Sequence, residues 1–224
     1  MNAIVGLSDL TSMMDDVPEQ VRENLGKIRS SSQYLLRLIS DILDMSRIES
    51  GKMTVSNEAF SMNRAVEELE DMLTAEATRR GLEFTVEKDV ENRTLMGDVI
   101  RLQQVLTNLV SNAFKFTPAG GSIIMRVTRT KSTNQQVIYK FQVIDNGVGI
   151  SVENQKRVFG AFEQVGPNYS KSQGTGLGLT ISRTIVGLMG GELKLKSELG
   201  KGSILFFSCI SPGGSGRKAA VWNI

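Results

Sequence analysis

Apolar residues recur at helical spacing through the first fifty positions and then give way to a patchwork of helical and alternating patterns. Ile4, Leu7 and Leu10 fall on adjoining turns and predict a helix over 2–14. The residues DDVP at 15–18 break it, and 19–49 continue without a proline. In that second stretch Ile28, Leu35 and Ile42 recur every seven residues, with Leu38 and Met45 between them, as a helix-packing seam does. The pair reads as a helical hairpin with a short first arm. Two helices bury little by themselves, so the seam either covers a second copy in a four-helix bundle or lies on the following domain; a homodimer is the expectation.

After Gly51 the period changes. Val66, Leu69, Leu73 and Ala77 predict a helix over 65–80, closed by Gly81. A strand is expected at 82–87, and then a helix over 98–114 with Leu102, Val105, Leu106, Leu109, Val110 and Ala113 facing inward. Further strands are expected at 122–129 and 137–144, the second with Val137, Tyr139, Phe141 and Val143 on one face. A helix over 177–189 and strands at 192–197 and 203–210 complete the series. Strands joined by short polar turns pair antiparallel, and three helices suffice for one face of the sheet. The expected class is α+β: a two-layer α/β sandwich with a mixed, mainly antiparallel sheet, preceded by the hairpin. The expected division is 1–50 for the hairpin, 51–210 for the sandwich and 211–224 for a linker and tail.

Composition narrows the function classes. Lys and Arg number 26 against 24 Asp and Glu, a balance that supplies no basic surface for nucleic acid. The chain has one cysteine, Cys209, and no histidine, so a disulfide framework and a zinc site are both out of reach. A reducing, cytoplasmic setting is expected. No apolar run approaches the roughly 20 residues of a membrane helix, although a longer parent could be membrane-anchored.

Three clusters carry candidate chemistry. Gln104, Asn108 and Asn112 lie four residues apart with Lys115 three further on, one stripe opposite the leucines. Either this is a solvated helix face, or the Asn112 amide oxygen is a hard ligand for Mg²⁺ and Lys115 a point charge for phosphates. Asparagine is a mediocre helix former, which favours a role. The segment DNGVGI at 145–150 is a turn by its residue types. A buried Asp145 at the end of a strand would also accept from the exocyclic amine of adenine, which guanine lacks. In GTGLGL at 174–179 glycines open a helix, where free N–H groups attract phosphate. The spacing departs from G-x-G-x-x-G and no strand precedes it, which excludes a dinucleotide fold; no G-x-x-x-x-G-K-[ST] loop is present either. Phe159 and Phe162, either core or an apolar hinge, precede a polar stretch at 163–173 suited to closing over a ligand.

In order, NLVSNAFKF (108–116), DNGVGI, VFGAF (158–162) and GTGLGL resemble the N, G1, F and G2 boxes of sensor histidine kinases, whose ATP-binding domain belongs to the superfamily shared with gyrase, the Hsp90 chaperones and MutL. The likeness runs to about Ile210. SRIESGKM at the end of the second helix resembles the family's dimerisation and phosphoacceptor domain, and NAIVGLSDL resembles the helical segment just after its phosphorylated histidine. The resemblance implies Mg²⁺ at Asn112, phosphate contacts from Asn108 and Lys115, and adenine at Asp145 with room made by Gly147 and Gly149. It implies a lid anchored by Gly174, Gly176 and Gly178, with Phe116, Ile150, Phe159, Thr175 and Leu177 as further nucleotide-contacting positions. Family members often carry Arg after the F box; here Glu163-Gln164 stand there, which leaves Arg157 or Lys171 to supply the charge.

Relatives that hydrolyse ATP carry a glutamate one turn before the magnesium asparagine. Here that position is Asn108, which cannot act as a base, so phosphoryl transfer is favoured over hydrolysis. The family's acceptor histidine and the acidic residue after it would lie just before Met1. The expectation is therefore the ATP-binding part of a kinase that passes its γ-phosphoryl group to a histidine not present in this chain and thence to a response regulator receiver domain. The alternative is a nucleotide-sensing dimer module without chemistry. The segment SPGGSG at 211–216 reads as a linker, and RKAAVWNI as the start of a strand that could open a receiver domain, as in hybrid kinases, or as a remnant.

Overall fold

The structure, a computed structural model, describes residues 2–14, 16–133, 136–163 and 174–212. The described residues divide into two compact units, one within 2–52 with 174–175 and one within 53–163 with 176–212.

The first unit is a hairpin of α1 (Asn2–Ser12) and α2 (Glu19–Glu49). Helix α1 ends two residues before its apolar pattern does, and the N–H groups of Met13 and Met14 turn back to carbonyls at 9, 10 and 11. Pro18 sits at the N-cap of α2, where its extended ψ of 144° starts the helix cleanly. Arg29 pairs with Asp9 at 3.2 Å across the hairpin. Packing of α1 on α2 leaves the heptad residues Ile28, Leu35 and Ile42 between 44% and 48% exposed, and Leu7 and Leu10 about two-thirds exposed.

The second unit is built on a five-stranded sheet of order β2-β4-β5-β7-β6. Its strands are β2 (Glu83–Asp89), β4 (Ser122–Ser132), β5 (Gln136–Asp145), β6 (Lys194–Glu198) and β7 (Gly202–Pro212). All neighbours are antiparallel except β2 and β4, which run parallel. Helices α3 (Met62–Arg80), α4 (Val99–Phe116) and α6 (Gly178–Leu188) cover one face, α4 lying on β4 and β5, α3 on β2, and α6 on α4. The core follows strand alternation: Val137, Tyr139, Phe141 and Val143 are at most 2% exposed, and Phe207 stacks on Phe141 with centroids 4.9 Å apart. This is the expected mixed, mainly antiparallel two-layer sandwich.

Boundaries differ where local chemistry outweighs periodicity. Helix α3 begins at Met62 rather than Ala65, because the Ser61 hydroxyl accepts from the Arg64 N–H and caps it. Asp98 is the N-cap of α4: its Oδ1 accepts from Arg101 and its Oδ2 from the Ser56 N–H. Strand β7 runs into the expected linker, since Ser211 and Pro212 stay paired with Val137 and Gln136 and the buried Ser211 hydroxyl donates to the Met96 carbonyl. The two-stranded pair β1 (Glu58–Ser61) and β3 (Thr94–Gly97) and the short α5 (Val152–Gln155) went unanticipated, being too short to show a period. The tail beyond 212 lies outside the described residues. Among them, no helix is long and apolar enough to cross a membrane, and no group of three or more His, Cys, Asp or Glu could hold a metal ion.

Candidate functional site

The polar stripe of α4 lies beside α6. Asn108, Asn112 and Lys115 are each half-buried. Asn108 is held by α6, its Nδ2 donating to the buried Ser182 hydroxyl at 2.9 Å. The two helices meet so closely here that a Cβ on Gly178 would stand 2.3 Å from the Asn108 amide oxygen, so a larger residue at 178 would displace the Asn108 amide. The Asn112 side chain makes no hydrogen bond to the described residues, so its amide oxygen is available to a ligand. Lys115 has no carboxylate partner among them; its Nζ lies 5.0 Å from the centre of the half-exposed Phe116 ring, and burial pushes its ammonium below the usual lysine range.

The other end of the site is the turn after β5. Asp145 Oδ1 accepts from the N–H groups of Gly147 at 3.0 Å and Ser203 at 3.2 Å. These bonds favour the carboxylate, yet burial outweighs them and raises its pKa. The Val148 N–H donates to the Phe116 carbonyl, so the turn is tied to the end of α4. Gly149 is obligatory, with φ at +65° and the Glu198 carbonyl 2.0 Å from where a Cβ would sit. The Ile150 N–H donates to Ser197 Oγ at 2.8 Å, and Gln155 holds the Ile150 carbonyl.

Between these ends the F and G2 segments meet. The Phe162 N–H donates to the Gly176 carbonyl at 3.0 Å, joining the two sides of the stretch 164–173, which lies outside the described residues. Phe162 is no core residue: it is 69% exposed and adopts φ of +61°. Phe159 is half-buried, its carbonyl accepting from the Thr180 hydroxyl and its ring facing the Arg183 guanidinium at 5.6 Å. Leu177 is core, at 1% exposure. Helix α6 starts at Gly178, and its N-cap residue Leu177 gives no side-chain cap. Gly174 and Thr175 group with the helical unit, where the Thr175 hydroxyl donates to Asp41 Oδ2 at 2.7 Å. Of the two cations considered for the segment after the F box, Arg157 is paired with Glu163 at 2.7 Å, and Lys171 lies outside the described residues.

Sequence reasoning missed Ser197 and Ser203. Ser203 could have been found, since it is in phase with the inward Leu205, Phe207 and Cys209 and is itself only 9% exposed. A polar residue at an inward position at the end of a strand is a sign of a site.

Comparison with known proteins gives two family matches. Residues 97–212 match the family described as "Histidine kinase-, DNA gyrase B-, and HSP90-like ATPase", and residues 1–51 match the "His Kinase A (phospho-acceptor) domain". The signal transduction histidine-protein kinase BarA of Escherichia coli strain K12 is 36% identical over 92% of this chain and 22% of its own length. The sensor protein GacS of Pseudomonas syringae pv. syringae is 36% identical over the whole chain and 25% of its own length. The chain thus spans about a quarter or less of these relatives. Full-length ShkA, solved in complex with AMPPNP, superposes with a TM-score of 0.73 at 26% identity, over 96% of this chain and 44% of that one.

Proposed function

Because the chain belongs to the histidine kinases, we propose that residues 51–210 bind Mg-ATP and present its γ-phosphoryl group to a histidine outside these 224 residues, from which it passes to a response regulator aspartate. The observation that carries this reading is the pairing of ends: Asn108, Asn112 and Lys115 on one stripe of α4, and the doubly hydrogen-bonded Asp145 at the turn tied to the end of that helix.

The residues fit the nucleotide they would hold. Asp145 spends Oδ1 on two backbone N–H groups, which fixes the carboxylate and leaves Oδ2 for the adenine amine. The half-buried Lys115 ammonium, without a carboxylate partner among the described residues, suits a phosphate. The N-terminus of α6 would present its dipole to the same anion. Mg²⁺ would be held by the unpartnered Asn112 oxygen, a hard neutral ligand, and would neutralise charge on the phosphate oxygens. Transfer then depends mainly on positioning and electrostatics, since Asn108, hydrogen-bonded to Ser182, cannot deprotonate water. The absence of histidine from the chain favours a second reading, a nucleotide-sensing dimer module that does no chemistry. Retained Mg-ATP affinity with no transfer to any histidine-bearing partner would select it.

The hairpin would form a four-helix bundle with a second copy, because the exposed heptad seam on α2 is too apolar to face water alone. Replacing both Leu35 and Ile42 by Asp is expected to convert a dimer into a monomer in light scattering coupled to gel filtration, leaving ATP affinity unchanged. A variant that stays dimeric would remove α2 from the interface.

A further inference from the structure

Four residues form one row across the sheet at the end that holds Asp145. In register, Ile123 of β4 stands opposite Asp145 of β5, Asp145 opposite Ser203 of β7, and Ser203 opposite Ser197 of β6. Cross-strand neighbours on one face lie close enough for their side chains to touch. The row therefore lines one wall of the proposed base site with a carboxylate followed by two hydroxyls.

The protons in this row can be assigned. A serine hydroxyl has one hydrogen to donate and two lone pairs to accept with. Ser197 Oγ has three partners: the Ile150 N–H at 2.8 Å, the Gly202 carbonyl at 2.9 Å and Ser203 Oγ at 2.9 Å. The N–H can only donate and the carbonyl can only accept. All three contacts are hydrogen bonds only if Ser197 donates to Gly202 and accepts from both Ile150 and Ser203. Ser197 is then saturated, and the Ser203 proton points toward β6. What Ser203 keeps beside the Asp145 carboxylate is lone pairs.

The geometry points to the Ser197–Ser203 pair as a specificity-determining element of the base site, with Ser197 as a positioning residue that holds the Ser203 proton away so that a base meets only acceptors at Asp145 and Ser203. This rests on the adenine reading of Asp145. An exocyclic amine, which is all donor, satisfies such a wall; a carbonyl at the same ring position faces lone pairs. Position 197 would thus govern the choice between amine and carbonyl without touching the nucleotide.

The test is titration calorimetry of the chain with ATP and with inosine triphosphate, which replaces the amine by a carbonyl, both in Mg²⁺. Ser197→Ala frees the Ser203 proton to turn toward the carbonyl, so the preference for ATP is expected to shrink on the order of tenfold. Ser197→Thr keeps the hydroxyl and is expected to keep the preference. In a Ser203→Ala background, Ser197→Ala is expected to change nothing, because no proton remains to be released; a purely structural role for Ser197 would still show there. An unchanged preference in Ser197→Ala, or an effect that persists without Ser203, overturns the proposal. Should Ser197→Ala not fold, Ser203→Ala decides by itself: loss of ATP affinity with inosine triphosphate spared supports the pair, and equal loss of both overturns it. Wild-type protein that binds the two nucleotides equally would overturn the adenine reading along with this one, whereas discrimination that is undiminished in Ser197→Ala overturns the serine pair alone.

Discussion

Asp145→Ala is expected to weaken ATP binding on the order of 10- to 100-fold, the range for loss of a hydrogen bond to a charged, desolvated group. The carboxylate is half-buried and anchored through Oδ1 by the Gly147 and Ser203 N–H groups, so it is held in place before any ligand arrives. Such a preorganised acceptor loses little freedom on binding, and its removal leaves the adenine amine unpaired in a partly dry site. Asn112→Ala should act differently. The ratio of affinities with and without Mg²⁺ is expected to collapse, while the Mg²⁺-free affinity stays near that of the wild type, because in the proposed site Asn112 would contribute through the metal alone. Calorimetry of both variants in Mg²⁺ and in a chelator checks the two claims together. Wild-type affinity in Asp145→Ala, or a full Mg²⁺ effect in Asn112→Ala, would falsify the assignment of the site. Burial raises the Asp145 pKa above its unfolded value, so the carboxylate form is lost sooner on acidification than in an ordinary aspartate. ATP affinity should accordingly begin to fall above the usual aspartate range as the pH is lowered, and Asp145→Asn should flatten that dependence.

The second large effect concerns phosphoryl transfer. With no histidine anywhere in its 224 residues, the chain incubated with γ-labelled Mg-ATP is expected to acquire no acid-labile label. Mixed with a homologous chain that carries the acceptor histidine but an inactivated ATP site, it is expected to label that partner, provided the two helical hairpins assemble into one bundle. The Leu35 and Ile42 double substitution should abolish this transfer and leave nucleotide binding intact, which separates assembly from catalysis. Acid-labile label on this chain alone would sink the account. So would free phosphate released faster than label is transferred, because Asn108 offers no base to activate water.

Much of this architecture was legible in residue order. Helix α2 was read to its ends because an unbroken heptad seam between Pro18 and Gly51 leaves one solution. The inward face of β5 was read correctly because four alternating large residues fix its phase. The short pair β1 and β3 was invisible, since four-residue strands show no period and Leu95, fully buried, is defined only by a partner 35 residues away at Phe60. Ser61 and Asp98 were legible in principle as caps, but their hydrogen bonds were not what the periodicity measured.

By itself the sequence determined the family, through the order of the four segments NLVSNAFKF, DNGVGI, VFGAF and GTGLGL; taken singly, the stripe Asn108, Asn112 and Lys115 reads equally as a solvated helix face and DNGVGI as a turn. Tertiary structure alone decided which groups act on which. That Asn108 is held by Ser182, 74 residues away, and that Ser203 and Ser197 stand in one row with Asp145, result from α4 packing on α6 and from strand register. Register is set by the burial of a whole sheet face rather than by any one residue, which is why the phase of β7 can mark Ser203 as inward but cannot set it and Ser197 in one row with Asp145.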